Sequence, residues 1–273
     1  MIEQFHRPAT VREALALKRR YQGRAVFLAG GTHLNSSESD LRPAHAISLA
    51  GLGLDRIELQ RGRLEIGALC TYQRLIEERR VPAPLKAAAA QLASRNVRNI
   101  ATVGGHLASR VPNSDLVPML VALDASLTLA RPGGTRTLRV AEYVAKPVPG
   151  LITRVVLPKP KPGRVAACRN FRASANARSI VSAAVSATLA RGVLEAPVVA
   201  LGGVARSVVR LTAVETRLDG RPLPALDELQ ALVSRAVRPP ASPLVSAAYR
   251  RYEAGAAVAL AFRDALGKKG ARP

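Results

Sequence analysis

Two short apolar runs in this 273-residue chain end in a glycine pair beside a threonine and a histidine. The first reads Phe27-Leu28-Ala29-Gly30-Gly31-Thr32-His33-Leu34 and the second Ala101-Thr102-Val103-Gly104-Gly105-His106-Leu107. A glycine pair after a strand lets backbone N–H groups converge on an anion, because no Cβ blocks the approach and positive φ is open to it. Two such loops brought together would grip both halves of a pyrophosphate. Neither is followed by Gly-Lys-Ser/Thr, so neither is a P-loop, and neither has the Gly-x-Gly-x-x-Gly spacing of a Rossmann site. Asp115 follows the second pair and offers a carboxylate either to sugar or ribityl hydroxyls or to the amides of a helix start. His33 and His106 have no Ser, Cys or Asp partner in a nucleophile motif, so hydrogen-bond donation is expected of them rather than base catalysis. A third pair, Leu201-Gly202-Gly203-Val204-Ala205, lacks the threonine and reads as a bulge or as backbone packed tightly on a neighbour.

The elements that must carry these loops are legible around them. Thr10-Val11-Arg12-Glu13 is a capping box, Ala14, Leu17, Lys18 and Tyr21 share a helix face, and Gly23 is expected to stop that helix. Residues 25–29 predict a strand running into the first glycine loop, and residues 46–49 and 63–68 predict two more. Residues 85–94, with four consecutive alanines, predict a helix, and residues 112–116 a polar-capped helix start. Alternation predicts strands at 126–130 and 151–157, on either side of the Pro132-Gly133-Gly134 turn. The run Pro158-Lys159-Pro160-Lys161-Pro162-Gly163 cannot continue a helix or a central strand and reads as a linker. Beyond it residues 181–189 are small and apolar, 197–204 are strand-like, and 246–266 predict a closing helix.

Composition narrows the function classes. No apolar run is long enough to span a membrane, and residues 1–8 lack a signal peptide's apolar centre, so a cytoplasmic protein is expected. The two cysteines, Cys70 and Cys168, stand far apart, which excludes an iron–sulfur cluster or cysteine zinc site built by this chain alone; no metal site is expected. The net charge of +22 raises the question of nucleic acid, but the arginines are spread along the chain and aromatic residues, at 3%, leave few stacking platforms. An acidic protein partner fits that charge better, and no nucleic acid is expected.

The order of these segments carries a resemblance. Leu28-Ala29-Gly30-Gly31-Thr32, Ile66-Gly67-Ala68, Val97-Arg98-Asn99 with Thr102-Val103-Gly104-Gly105, Ser114-Asp115-Leu116 and Ala122-Leu123-Asp124-Ala125 together resemble the FAD-binding (medium) subunit of the molybdenum hydroxylases, the xanthine dehydrogenase and carbon monoxide dehydrogenase family. Leu151-Ile152-Thr153 with Leu157-Pro158 is similar to the strand closing that family's FAD domain, and Leu201-Gly202-Gly203-Val204-Ala205 and Tyr249-Arg250-Arg251-Tyr252 are similar to its C-terminal domain.

The resemblance implies an α+β fold: a two-part FAD-binding domain of the vanillyl-alcohol oxidase and p-cresol methylhydroxylase type over residues 1–160, with subdomains of about 1–55 and 56–160. A smaller α+β domain of the CO dehydrogenase flavoprotein type would cover residues 161–273. It implies non-covalent FAD contacted by Leu28, Ala29, Gly30, Gly31, Thr32, His33 and Leu34, by Ala68, by Thr102, Gly104, Gly105 and His106, and by Asp115, Ile152 and Arg169. The molybdenum cofactor and [2Fe–2S] centres would lie on partner subunits, and electrons would leave to NAD+ or another acceptor. No side chain is expected to act as a catalytic base. The alternative is a non-catalytic or assembly module that keeps the fold without electron transfer. Three positions depart from the family pattern: His33 stands where Asp is usual, His106 where Asn is usual, and Arg169 where Lys is usual.

Overall fold

The computed structural model describes residues 2–37, 39–174, 177–242 and 245–267. Its first unit is a three-stranded parallel sheet of β1 (Gln4–His6), β2 (Ala25–Leu28) and β3 (His45–Ser48) in the order β1-β3-β2. The connecting helix α1 (Val11–Tyr21) starts as the capping box requires. Thr10 Oγ1 accepts the Glu13 amide at 3.1 Å, while the Glu13 carboxylate takes the Ala9 amide at 2.8 Å. Ala14 packs from this helix onto Ala25 and Ile47. The stop falls on Gln22, at φ 46°, and not on Gly23. Lys18 Nζ holds that turn by donating to the carbonyls of Gln22 and Ala25.

The second unit is a five-stranded antiparallel sheet of β4 (Ile57–Gln60), β5 (Arg63–Gly67), β6 (Ser126–Arg131), β7 (Gly134–Arg139) and β8 (Leu151–Leu157), in the order β4-β5-β8-β6-β7. The hairpin across Pro132-Gly133 therefore joins β6 to β7, while β8 inserts between β5 and β6. The sequence pattern missed β7 because its residues are mostly polar and exposed. Between β5 and β6 come the short helices α2 (Tyr72–Glu77), α3 (Ala83–Ala90), α4 (Arg95–Arg98), α5 (Val103–Ser109) and α6 (Leu116–Ala122); α7 (Val140–Ala145) precedes β8. All seven residues of α6 are buried. The register of β6 on β8 skips Thr153, whose carbonyl takes the Ala68 amide at 3.0 Å; this bulge sets the direction of the neighbouring Ile152.

The third unit is an antiparallel meander of β9 (Arg164–Arg172), β10 (Ser179–Ala190), β11 (Val193–Gly202) and β12 (Val209–Arg210), followed by α8 (Thr212–Leu218), α9 (Leu226–Ala236) and α10 (Ala247–Gly267). Its two faces alternate as a pleated sheet must. Ala184 and Ala200 turn small side chains to the core shared with α6, whereas Val185 and Val199 pack with Leu229, Val258 and Phe262 of α9 and α10. The whole is the mixed α+β architecture expected. No helix among the described residues is long and apolar enough to cross a membrane.

The third glycine pair forms the seam between this sheet and the start of α6. The Gly203 amide donates to Pro112 O at 2.8 Å, and Ser182 Oγ donates to Ser114 O at 2.6 Å. A Cβ on Gly203, at φ +83°, would lie 2.2 Å from Ile180 O. Gly203→Ala is therefore expected to cost about 2–4 kcal/mol, from a forced left-handed residue and a backbone clash. Gly23→Ala, with nothing within 4 Å, serves as the neutral control. Urea unfolding of the two variants checks the difference; equal midpoints would refute the steric account.

Candidate cofactor-binding site

β2 delivers the chain into a loop that needs both of its glycines. A Cβ on Gly30 would stand 1.9 Å from Ile100 O, and Gly31 lies at φ +69°. The loop closes on itself through Asn35 N donating to Gly31 O and Ser36 N donating to His33 O, at 3.0 and 3.1 Å. These bonds occupy carbonyls and leave the amides. Among the described residues, none accepts a hydrogen bond from the N–H groups of Ala29, Gly30, Gly31, Thr32, His33 or Leu34. A succession of unused amides on a curved backbone has the chemistry to bind an anion, since each N–H is a donor without an acceptor. These residues line a cavity of about 400 Å³ between the first sheet, the second sheet and the β9–β10 connection.

The second glycine segment lines the same cavity but is built differently. The sequence suggests a loop after a strand; instead Gly104 and Gly105 form the first turn of α5, with Thr102 as its cap. Their amides are already used. Val103 N donates to Cys70 O, Gly104 N to Ala68 O at 2.7 Å, Gly105 N to Thr102 Oγ1 at 3.1 Å, and His106 N to Thr102 O. The glycines are there for close approach: a Cβ on Gly104 would lie 2.6 Å from the Ala68 Cβ, and one on Gly105 2.8 Å from Thr102 Oγ1. Among the described residues, the amides of Gly30 and Gly31 are thus free where those of Gly104 and Gly105 are used, and α5 supplies a packed wall.

Of the fifteen positions expected to touch cofactor, all line this cavity except Arg169. Arg169 points the other way. Its Nε donates to the Asp264 carboxylate of α10, because it sits opposite Ala183 on the face of β9 turned to that helix. The residues of opposite parity, Asn170 and Arg172, point toward α6 and reach Asp115. Arg178, which no motif marked, is the arginine that lines the cavity. Asn113, Val97 and Leu151 also line it unforeseen, being visible only once the strands are assembled.

Asp115 is buried at 6% exposure. Its Oδ1 accepts from Asn170 Nδ2 and Ser179 Oγ, and Arg172 Nη2 lies 3.5 Å from Oδ2. Burial raises its pKa, and these three partners oppose that rise. It does not cap α6, because Ser114 Oγ takes the Val117 amide at 3.0 Å in its place. His106 Nε2 lies 2.7 Å from the same Ser114 oxygen. Burial above all, then the positive charge of Arg178 and the neighbouring His33, lowers the His106 pKa to about 4. Among the described residues, His33 Nδ1 is buried without a partner, as is the hydroxyl of Tyr72, whose ring centroid is 5.5 Å from that of His106.

Residues 1–160 match the FAD binding domain in molybdopterin dehydrogenase, and residues 166–265 match the CO dehydrogenase flavoprotein C-terminal domain. The chain is 39% identical over 265 residues to the protein YgfM of Escherichia coli (strain K12), covering 97% of this chain and 96% of that one. It is 27% identical to the carbon monoxide dehydrogenase medium chain of Afipia carboxidovorans, covering 92% of each. The carbon monoxide dehydrogenase from Hydrogenophaga pseudoflava that lacks the Mo-pyranopterin moiety superposes with a TM-score of 0.91 at 25% identity, over 98% of both chains.

The state of His106 has a consequence for stability. Folded, it stays neutral down to about pH 4, whereas unfolded it takes a proton below its ordinary 6.5. The unfolded state therefore binds more protons in that window, and stability falls as pH drops from about 6.5 toward 4. The loss from this group is about 2–3 kcal/mol. His106→Asn is expected to flatten that part of the pH–stability curve, as read by urea midpoints between pH 7 and 4.5. His45, whose pKa burial also lowers, will leave a residual slope. An unchanged curve would refute the neutral, buried His106.

Proposed function

The chain belongs to the FAD-binding subunits of the molybdopterin dehydrogenases, oxidoreductases of the carbon monoxide and xanthine dehydrogenase family, and on that premise we propose that it is the flavin-carrying subunit of a multi-subunit molybdenum hydroxylase in the cytoplasm. Residues 1–160 would form the FAD domain and residues 161–273 the domain that closes over it. FAD held by this chain would supply the redox chemistry, between [2Fe–2S] centres on a partner chain and NAD+ or another acceptor, with the molybdenum cofactor on a further subunit.

What this chain's own residues do is bind, orient and exclude water. The unused amides of residues 29–34 are the observation that carries the proposal: they are donors of the kind a pyrophosphate needs, at the edge of a cavity of matching chemistry. Hydrogen bonds from such amides to an ionised oxygen contribute about 1.5–3 kcal/mol each. Ala68, Gly104 and Gly105 form a closely packed wall, since their amides are bonded within the chain. Leu151 and Ile152, both nearly fully buried, line the cavity and would offer an aromatic ring system an apolar surface. A carboxylate has about four acceptor sites; Asp115 Oδ1 holds two protein donors, and Oδ2, with Arg172 at 3.5 Å, would keep acceptor capacity for a sugar or ribityl hydroxyl. No side chain in the cavity is needed as a base. The large positive charge suits docking to acidic partner subunits.

The purified chain is expected to absorb in the visible as a flavoprotein and to release FAD at about one per chain. A colourless chain that takes up no added FAD would overturn the proposal. Complexes with its partner subunits should weaken as salt is raised from about 0.1 to 1 M, where the screening length drops from about 10 to 3 Å; sedimentation at both ionic strengths reads this.

A further inference from the structure

The Ser114 hydroxyl has few choices. It is 1% exposed, so water is not its partner. Its oxygen accepts the Val117 amide at 3.0 Å and lies 2.7 Å from His106 Nε2. Among the described residues, no carbonyl or carboxylate oxygen takes its proton. A buried hydroxyl that donates to nothing is costly, so the proton goes to Nε2, which must then be an acceptor. A neutral imidazole that accepts at Nε2 carries its hydrogen on Nδ1. That nitrogen makes no hydrogen bond among the described residues, and His106 lines the cavity.

The groups around the ring favour the neutral form. Arg178 and His33 stand near it and disfavour a further positive charge on the ring, and Tyr72 packs on it from α2. No carboxylate among the described residues is hydrogen-bonded to it to hold an imidazolium. Ser114 is itself fixed twice, as the cap of α6 and through its carbonyl, which accepts from Ser182 Oγ of β10.

We propose that His106 is a positioning residue, held by Ser114 as the Nδ1–H tautomer and offering an uncharged hydrogen bond to an electron-rich oxygen or nitrogen of a flavin nucleotide in the cavity. The inference rests on the FAD reading above for the identity of the acceptor, and on this chain alone for the tautomer. The histidine then does the work of an amide N–H donor, while charge in the cavity is left to Arg178.

Two measurements separate these parts. In the chain labelled with ¹⁵N at histidine and free of cofactor, the His106 signal, identified by its loss in His106→Asn, should show a protonated Nδ1 and an unprotonated Nε2 from pH 5 to 8. The opposite tautomer, or an imidazole that titrates near its ordinary value, would overturn the proposal. In FAD titrations followed by flavin fluorescence, His106→Asn, which keeps an N–H donor, should bind within about threefold of the unaltered chain. His106→Leu should bind roughly tenfold more weakly, the value of one hydrogen bond. Equal affinity in the unaltered chain and His106→Leu would overturn the donor role. Failure of the unaltered chain to bind FAD would instead overturn the reading beneath it, and the imidazole spectrum would still decide the tautomer.

Discussion

A single buried carboxylate governs how the parts of this molecule sit together. An ionised group out of water must be paired and hydrogen-bonded or it neutralises. Asp115 meets that demand with groups it cannot find on its own unit: Asn170 and Arg172 of β9 and Ser179 of β10. Arg172 is in turn anchored on Gln91 O at 2.8 Å. The C-terminal sheet is thereby obliged to lie where those donors converge. That placement brings the β9–β10 connection, with Ala177 and Arg178, over the cavity. The apolar contacts of α6 with Ala184 and Ala200 give the contact its area, and the carboxylate gives it its register.

The same dipeptide does three jobs in this chain. Gly30-Gly31 turns the backbone against Ile100 and leaves a row of amides open. Gly104-Gly105 lets a helix start press against Ala68 and Thr102, with every amide satisfied. Gly202-Gly203 removes side chains from the seam with the start of α6. What differs is where the neighbouring carbonyls fall, which is a property of the assembled sheets and not of the dipeptide. Sequence reasoning that treated the first two as equivalent was right that they meet at one cavity and wrong about why the second needs glycine.

Other parts of the site and fold were legible to the extent that their causes are local. The cap at Thr10, the strand before the first loop and the long closing helix each follow from residues within one or two turns. The end of α1 was misplaced by one residue because Lys18, a turn earlier, binds the carbonyl that shapes it. β7 went unseen since an exposed edge strand has no apolar face to alternate. The sequence offered Asp115 as a cap of α6 or as a ligand for hydroxyls, and only the fold shows that Ser114 takes the cap while the carboxylate is engaged by donors on β9 and β10. Arg169 illustrates the sharpest limit. A strand reverses its side chains at every residue, so a motif placed one position off exchanges the cavity for the opposite face.

The span of the cavity wall along the chain has its own consequence for biogenesis. Its lining begins at Val26 and ends at Arg178. The strand that carries Ile152 must insert between β5, made much earlier, and β6, and β9 and β10 must then settle on Asp115. A ribosome that has delivered the first sheet and both glycine segments has still not delivered a closed binding site. Loading of any small molecule is therefore a late, post-insertion event in synthesis, and a truncated nascent chain would expose the open amides of residues 29–34 to water until the meander arrives.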